Sequence, residues 1–200
     1  MNRADLSELH FISEISNMPS IMEKGILCNI DARRLRHVSV ALSDVQDKRD
    51  RKVVPGGLPL HEYANLYIFA RNPMLSRIRA RNASLCVLRV STVVLDLPNV
   101  VIADGNAASQ YTRFWPSPEG LEAVDADVVF AEYWTDNDQI AAWRKSRIRC
   151  AEVLVPKRVD PKFIYGAYVS GQEALRTFQA VETRLPVQIN AHLFFGEGGK

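Results

Sequence analysis

The sequence predicts an α+β fold built on a largely antiparallel or mixed sheet. Short apolar or alternating runs recur along the chain, the spans with helical signals are few and short, and no strand–helix–strand rhythm separates the runs. The most informative run is Arg147-Ile148-Arg149-Cys150-Ala151-Glu152-Val153-Leu154-Val155-Pro156, a short apolar stretch closed by a proline. As a strand with a side-chain period of two, it puts Ile148, Cys150, Glu152 and Leu154 on one face and Ala151, Val153 and Val155 on the other. One carboxylate therefore interrupts an apolar face. Burying an ionised carboxylate without partners is costly, so Glu152 is expected to line a cleft or to meet cations and hydroxyls. The plainer alternative is an edge-strand glutamate facing water.

In chain order, Leu9 to Ile15 reads as the first strand. A short helix follows over Asn17 to Gly25, with Asn17 as cap, Pro19 in the first turn and Gly25 as stop. Ile26-Leu27-Cys28 leaves it, Arg33 to Arg36 are expected at the surface, and Val38 to Leu42 reads as a strand. Ser43 and Gln46 have the spacing of a capping box, which predicts a short helix to Arg49. Val54-Pro55-Gly56-Gly57-Leu58-Pro59 is a loop, Tyr63 to Phe69 a strand, and Arg71 to Met74 a turn. Leu85 to Val90 is a strand that Val93 to Leu97 continues or follows. Asp104 to Ala108 turns into a helix expected over Ala107 to Phe114, and Pro116 to Asp125 is irregular. Asp127 to Phe130 fits helix or strand, Tyr133 to Asp138 is a loop headed by aromatics, and Gln139 to Lys145 is one or two helical turns. Phe163 to Val169 alternates as a strand. Ser170-Gly171-Gln172-Glu173 has the form of a capping box opening a helix to Glu182, and Val187 to Phe195 is a last strand.

Two hundred residues, 47% of them hydrophobic, suit one domain over residues 1–200 with a real core. No window approaches ~20 apolar residues, so no membrane segment is expected, and the N-terminus lacks the layout of a secretory signal. Three widely spaced cysteines, Cys28, Cys86 and Cys150, argue against a disulfide framework or a zinc site and fit a reduced cytoplasm. The net charge is +2, but unevenly spread. Tyr63 to Leu95 carries Arg71, Arg77, Arg79, Arg81 and Arg89 without one acid, and Lys48 to Lys52 is a second basic cluster. Such stretches suit a polyanion, or simply form a solvated face. No HExxH, paired CxxC, P-loop or GxGxxG occurs, and the histidines are scattered, so no metal is expected. Cys28 and Cys150 sit among apolar residues, where an inert thiol is expected before a nucleophile.

Several blocks resemble a known family. Ile12 to Ile21 followed by Gly25-Ile26-Leu27, then Lys48-Arg49, Val54 to Gly57, Tyr67 to Leu75, Asp104 to Ala108, Thr112 to Phe114 and Ala151 to Pro156 resemble, in order, the DarT-type DNA ADP-ribosyltransferase toxins. The resemblance implies an ADP-ribosyltransferase-like split mixed sheet with short flanking helices and an NAD cleft. It implies transfer of ADP-ribose from NAD to a base of single-stranded DNA, opposed by a macrodomain-type antitoxin. By position it makes Glu152 and Arg49 catalytic. Ser13, Asn17, Ile21, Gly25, Leu27, Arg49, Arg51 and Tyr67 fall on the NAD side, with Arg51 as fallback for Arg49. Arg71, Met74 and Asn106 fall on the DNA side. Two positions depart from the family, which carries histidine where this chain has Glu14 and Asn106. An amide both donates and accepts, so Asn106 suits a thymine or a guanine edge.

The chemistry agrees with the residue types. Breaking the nicotinamide–ribose bond builds positive charge on the ribose, which a fixed carboxylate stabilises. Arginine forks suit a pyrophosphate. Tyr133, Trp134 and Trp143, with Arg144, Arg147 and Arg149, are expected either to form a stacking and phosphate surface beside Glu152 or to be ordinary packing. The rival readings are a transferase acting on RNA or protein and a non-catalytic nucleic-acid-binding module.

Overall fold

The computed structural model describes residues 1–196. Among them the strands are β1 (Leu9–Glu14), β2 (Ile26–Leu27), β3 (Tyr63–Tyr67), β4 (Leu85–Val90), β5 (Val101–Ala103), β6 (Phe114–Pro116), β7 (Glu152–Pro156), β8 (Arg158–Val159), β9 (Ile164–Val169) and β10 (Val187–Ile189). The helices are α1 (Met18–Lys24), α2 (Asn29–Ala32), α3 (Ser43–Asp50), α4 (Pro73–Arg77), α5 (Ala126–Phe130), α6 (Gln139–Ile148) and α7 (Gln172–Gln179). Eight strands form one sheet in the order β10-β9-β4-β1-β3-β7-β5-β6, and β2 pairs with β8 apart from it. The sheet is mixed: β10 runs parallel to β9, and the other pairs are antiparallel.

The sheet is split at its centre. β1 pairs with β4 along its whole length, from Leu9↔Val90 to Glu14↔Leu85, and β3 pairs with β7 from Tyr63↔Pro156 to Tyr67↔Glu152. Between β1 and β3 the one registered pair is His10↔Tyr67. Beyond it the strands part and a cleft opens.

Alternation explains how both faces are buried. β4 sends Cys86, Leu88 and Val90 into one core and Leu85 and Val87 into another, as expected of a central strand. β7 gives Val153 and Val155 to the first core, while Leu154 packs with Leu60, Tyr63, Ala103 and Ala107 on the opposite face. Glu152 shares that face with Leu154, as the period of two requires. Gly25 ends α1 at φ +90°, a conformation that suits glycine, and a Cβ there would lie 2.2 Å from the Val159 carbonyl oxygen. That approach brings the end of α1 against β8.

Several expected elements differ. The run Arg147–Pro156 is not one strand: α6 continues to Ile148, and β7 starts at Glu152. Val38–Leu42 is irregular because Asn17 uses its side chain to donate to the Val38 carbonyl (2.8 Å) and accept from its N–H (2.9 Å). For the same reason Asn17 does not cap α1. Val93–Leu97 lies largely in a 3₁₀ turn over Thr92–Asp96, which Ser91 opens by accepting the Val93 N–H. Ala107 to Phe114 forms turns rather than a helix, and Phe114 begins β6. Arg71 to Met74 runs into α4, for which the Asn72 side chain accepts the Leu75 N–H. Neither Ser43 nor Ser170 builds a capping box; the Ser170 hydroxyl instead donates to the Asn82 carbonyl. The last strand stops at Ile189 and turns follow it.

Candidate active site

Glu152 opens β7 between Tyr67 of β3 and Ala103 of β5, so its carboxylate is 1% exposed. It is fully engaged. Arg49, on the last turn of α3, donates through Nη1 to both oxygens at 3.0 and 3.2 Å, and the Ala107 backbone N–H donates to Oε1 at 2.9 Å. A buried carboxylate with a guanidinium and a peptide N–H is held in one orientation. Of the two outcomes foreseen for Glu152, the structure shows the paired one.

Above this pair, where β1 and β3 diverge, lies a cleft of about 450 Å³, within the ~300–1,000 Å³ range of small-molecule sites. Arg49, Ser13, Asn17, Leu27 and Tyr67 line it, and Ile21 and Gly25 line a side pocket that shares Ser13, Asn17 and Leu27 with it. Burial, and then the charge of Glu152, raise the Tyr67 phenol well above its ordinary value, so it stays a neutral hydroxyl. Arg51 is a correction: it is exposed at the C-cap of α3 and lines neither pocket, because Arg49 points inward and a shift of two residues on a helix turns to another face.

On the opposite wall, Asn106 lines the cleft together with Met74, Trp143 and Arg147. The Asn106 loop is pinned from three directions. Its backbone N–H donates to the Arg147 carbonyl (2.9 Å), its carbonyl accepts from the Thr112 hydroxyl (2.6 Å), and its Oδ1 takes the Ala108 N–H (2.9 Å). The Nδ2 group is then the donor that Asn106 has to offer a ligand. Gly105 lets Arg147 close in: an added Cβ would lie 2.5 Å from Arg147 Nη1. Arg147 in turn pairs with buried Asp104 at 2.8 Å. Lys52 donates to the Ser109 carbonyl and lies over the Phe114 ring, and burial lowers its ammonium below its ordinary value.

Other residues expected to face DNA have different places. Arg149 is 1% exposed and donates to the carbonyls of Arg71 (3.0 Å), Val128 (3.3 Å) and Val129 (2.7 Å), so it ties α5 to the segment between β3 and α4. Burial, and then neighbouring Arg71, push its guanidinium down to about 10. Arg71 is also buried, stacked over the Phe195 ring and bonded to the His192 carbonyl. Trp134 is half-buried, edge-on to Phe195 and under the Arg149 guanidinium. These three are packing. Tyr133, Trp143 and Arg144 are exposed and available. Glu14, at the other departure from the family pattern, pairs with Arg81 and accepts from the Ser84 hydroxyl. Cys150 lines the cleft but burial raises its thiol to about 12, which leaves it inert. Cys28 and Cys86 are buried and likewise raised. Among the described residues no three His, Cys, Asp or Glu side chains are grouped to hold a metal ion, and no helix is long and apolar enough to cross a membrane.

Sequence reasoning missed the Ala107 N–H, Gln46 and His61. A backbone donor has no residue code, and the two side chains come together only through the packing of α3 against the turn before β3.

The family model described as "ssDNA thymidine ADP-ribosyltransferase, DarT" matches residues 10–195. The chain belongs to the DarT family. It is 34% identical over 199 residues to a DNA ADP-ribosyl transferase–DNA ADP-ribosyl glycohydrolase fusion protein of Thermosipho africanus, covering 94% of this chain and 49% of that protein. It thus spans about half the length of that relative. A DNA ADP-ribosyl transferase of Thermus sp. 2.9 is 25% identical over 192 residues, covering 89% of this DarT-family chain and 90% of the relative. Among solved structures, Thermosipho africanus DarTG in complex with ADP-ribose superposes with a TM-score of 0.80 at 32% identity, over 94% of this chain and 51% of that one. Thermus sp. 2.9 DarT in complex with ADP-ribosylated single-stranded DNA superposes with a TM-score of 0.77 at 24% identity, over 94% of this chain and 96% of that one. The split sheet with its flanking helices is therefore the ADP-ribosyltransferase-like fold of DarT.

Proposed function

We propose that this chain transfers ADP-ribose from NAD to thymidine in single-stranded DNA. The observation that carries the reading is the Glu152 carboxylate, fixed by Arg49 and the Ala107 N–H beneath a cleft at the sheet split. NAD is the substrate on one side, with Ser13, Asn17, Ile21, Gly25, Leu27 and Tyr67 around it, and Arg49 facing its polar groups. When the nicotinamide leaves with the bonding pair, positive charge grows on the ribose, and a preorganised carboxylate stabilises it. Glu152 is also the acceptor for the proton that the attacking base gives up. A neutral Tyr67 and Cys150 keep the floor free of a competing nucleophile.

The base enters from the Asn106 wall. With Oδ1 engaged by Ala108, the Asn106 Nδ2 group donates to a carbonyl oxygen of the base, which thymine has. An unpaired strand presents that base without a few kcal/mol of unstacking. Met74 and Arg147 border this wall. Trp143, Tyr133 and Arg144 give neighbouring nucleotides a stacking and phosphate surface. The chain is taken as one transferase domain over residues 1–200. Its proposed setting is the cytoplasm, where free thiols, NAD and DNA coexist. The Thermosipho fusion joins a transferase to a DNA ADP-ribosyl glycohydrolase. A macrodomain-type glycohydrolase antitoxin that removes the mark is the partner proposed for this toxin.

The test is incubation with labelled NAD and a panel of matched single-stranded, double-stranded and RNA oligonucleotides, followed by mass spectrometry of the nucleosides. Label on thymidine of single strands is the expected result. Label on RNA or on the protein itself, with none on DNA, sinks the reading.

A further inference from the structure

Helix α3 delivers Arg49 to Glu152, yet it has no apolar anchor. Of its eight residues, Ser43–Asp50, only Arg49 is buried. Helices of this length hold their place through tertiary contacts rather than through propensity. Here those contacts are polar and converge on His61, a 4% exposed residue in the 3₁₀ turn before β3. Its Nδ1 lies 3.2 Å from Asp50 Oδ1 and its Nε2 lies 3.1 Å from Gln46 Oε1, both on α3. The same Gln46 Oε1 lies 3.1 Å from Asn29 Nδ2 of α2.

We propose that His61 is the positioning residue of this site, a neutral imidazole that donates through Nδ1 to Asp50 and accepts the Gln46 amide at Nε2, latching α3 so that Arg49 stays over Glu152. Amide orientation follows from the bonds that it must satisfy. A neutral ring has one donor and one acceptor, and the Asp50 carboxylate takes the donor. Donation to Nε2 requires the Gln46 and Asn29 amides each to be turned end for end, so that the Gln46 NH₂ meets His61 Nε2 and Asn29 Oδ1, and the Gln46 Oε1 is left on the side of the cleft that Gln46 lines. The charged groups around the ring support neutrality. Burial, then Arg33 beyond α2 and Arg49 on α3, lower the imidazole below its ordinary value, against the opposing pull of Asp50. Protonation places a hydrogen on Nε2, removes the Gln46 donation and adds a second cation beside Arg49. NAD turnover is thus expected to fall on the acid side of ~6.5 as the pH drops through the lowered value. This role rests on the reading of Arg49 as a catalytic-site residue.

The experiment separates the two. In the full chain labelled with nitrogen-15 histidine, NMR at pH 7 is expected to show His61 as the neutral Nδ1–H tautomer. An imidazolium or an Nε2–H tautomer overturns the proposal. His61→Phe keeps the ring volume and removes both bonds. It is expected to speed amide exchange across Asp44–Asp50, to lower kcat/KM for NAD about tenfold or more, and to abolish the acid limb of its pH profile. His61→Gln, with one donor and one acceptor, is expected to restore most of the activity. A folded His61→Phe chain with wild-type exchange in α3, or with an unchanged acid limb, overturns the latch. If the wild-type chain consumes no NAD, the transferase reading fails, while the tautomer and the exchange rates still decide the latch.

Discussion

At the scale of single residues the site is a buried ion pair, and that changes how it is best probed. Removing the Glu152 carboxylate altogether strands the Arg49 guanidinium in the interior, and breaking such a pair costs ~3–5 kcal/mol. Glu152→Ala is therefore expected to lose stability as well as activity. Glu152→Gln keeps an oxygen for Arg49 and for the Ala107 N–H, so it isolates the charge. Its ADP-ribose transfer is expected to fall by ~10²–10³-fold or more, with a smaller loss of melting temperature than in Glu152→Ala, since Arg49 keeps a hydrogen-bond acceptor but loses its counter-charge. Wild-type turnover in the Gln variant would remove Glu152 from the chemistry. Arg49→Lys is expected to stay inactive, because one guanidinium nitrogen already reaches both carboxylate oxygens and leaves the rest of the fork for NAD. Full activity in that variant would mean that charge alone matters there. Asn106→Ala is expected to lower DNA modification more than nicotinamide release from NAD. Equal losses would move Asn106 to the NAD side of the cleft.

At the scale of elements, strands were legible where side chains alternate or run apolar, as in β1, β4, β7 and β9. Their burial is decided by period alone. Elements whose shape depends on a distant partner were not. Val38–Leu42 has strand-like residues but is taken by the Asn17 side chain, and the small residues after Gly105 are held in turns by Arg147 and Thr112. The same limit applied to the site. Glu152 stood out as a charge on an apolar face, whereas Arg71 and Arg149 read as phosphate contacts because sequence does not show which carbonyls will need a donor. Glu8 shows how polar groups fasten the strands together. It precedes β1, accepts from Arg89 of β4 (2.6 Å) and Tyr165 of β9 (2.7 Å), and meets His10 at 3.1 Å. Burial alone would raise its carboxyl, but the bonds from His10, Tyr165 and Arg89 outweigh burial and hold it at about 2. A folded value below the unfolded one of about 4.5 means that its contribution is full above that value. The contribution is lost as pH falls through about 2. Thermal melts of the wild type and Glu8→Gln are expected to differ near neutral pH and to converge over that acid window. A gap that persists unchanged at pH 2 would show that the carboxylate's charge contributes nothing.

Across the whole molecule, the chain's small net charge conceals which arginines are free to meet a polyanion. The acid-free window from Tyr63 to Leu95 looked like a continuous basic face. In the fold, Arg71 is interior, Arg81 is paired with Glu14, and Arg89 is paired with Glu8 between two tyrosine rings. Arg77 and Arg79 remain exposed; Arg77 lines the cleft and makes one long, solvent-exposed pair with Asp44 at 3.6 Å, which a phosphate can replace. Arg144 is exposed beside Trp143 on α6. Of the basic residues expected to face DNA, the exposed ones near the cleft are therefore few. Each phosphate neutralised on a single strand contributes about −0.7 to the slope of log affinity against log salt. Arg144→Ala and Arg77→Ala are each expected to make that slope shallower by about one such increment, with the fold unchanged. Trp143→Ala is expected to weaken binding by ~1–3 kcal/mol without altering the slope, because stacking releases no counterion. Arg71→Ala and Arg149→Ala are expected to do the opposite of the surface variants. They leave buried carbonyls without donors and lower the melting temperature, while the folded fraction keeps the wild-type slope. Fluorescence anisotropy of a labelled single-stranded oligonucleotide over a salt series, with a melt of each variant, reads both quantities. A shallower slope in Arg71→Ala would mean that the Tyr133–Trp134 segment lifts to admit a phosphate, and that this arginine belongs to the DNA surface after all.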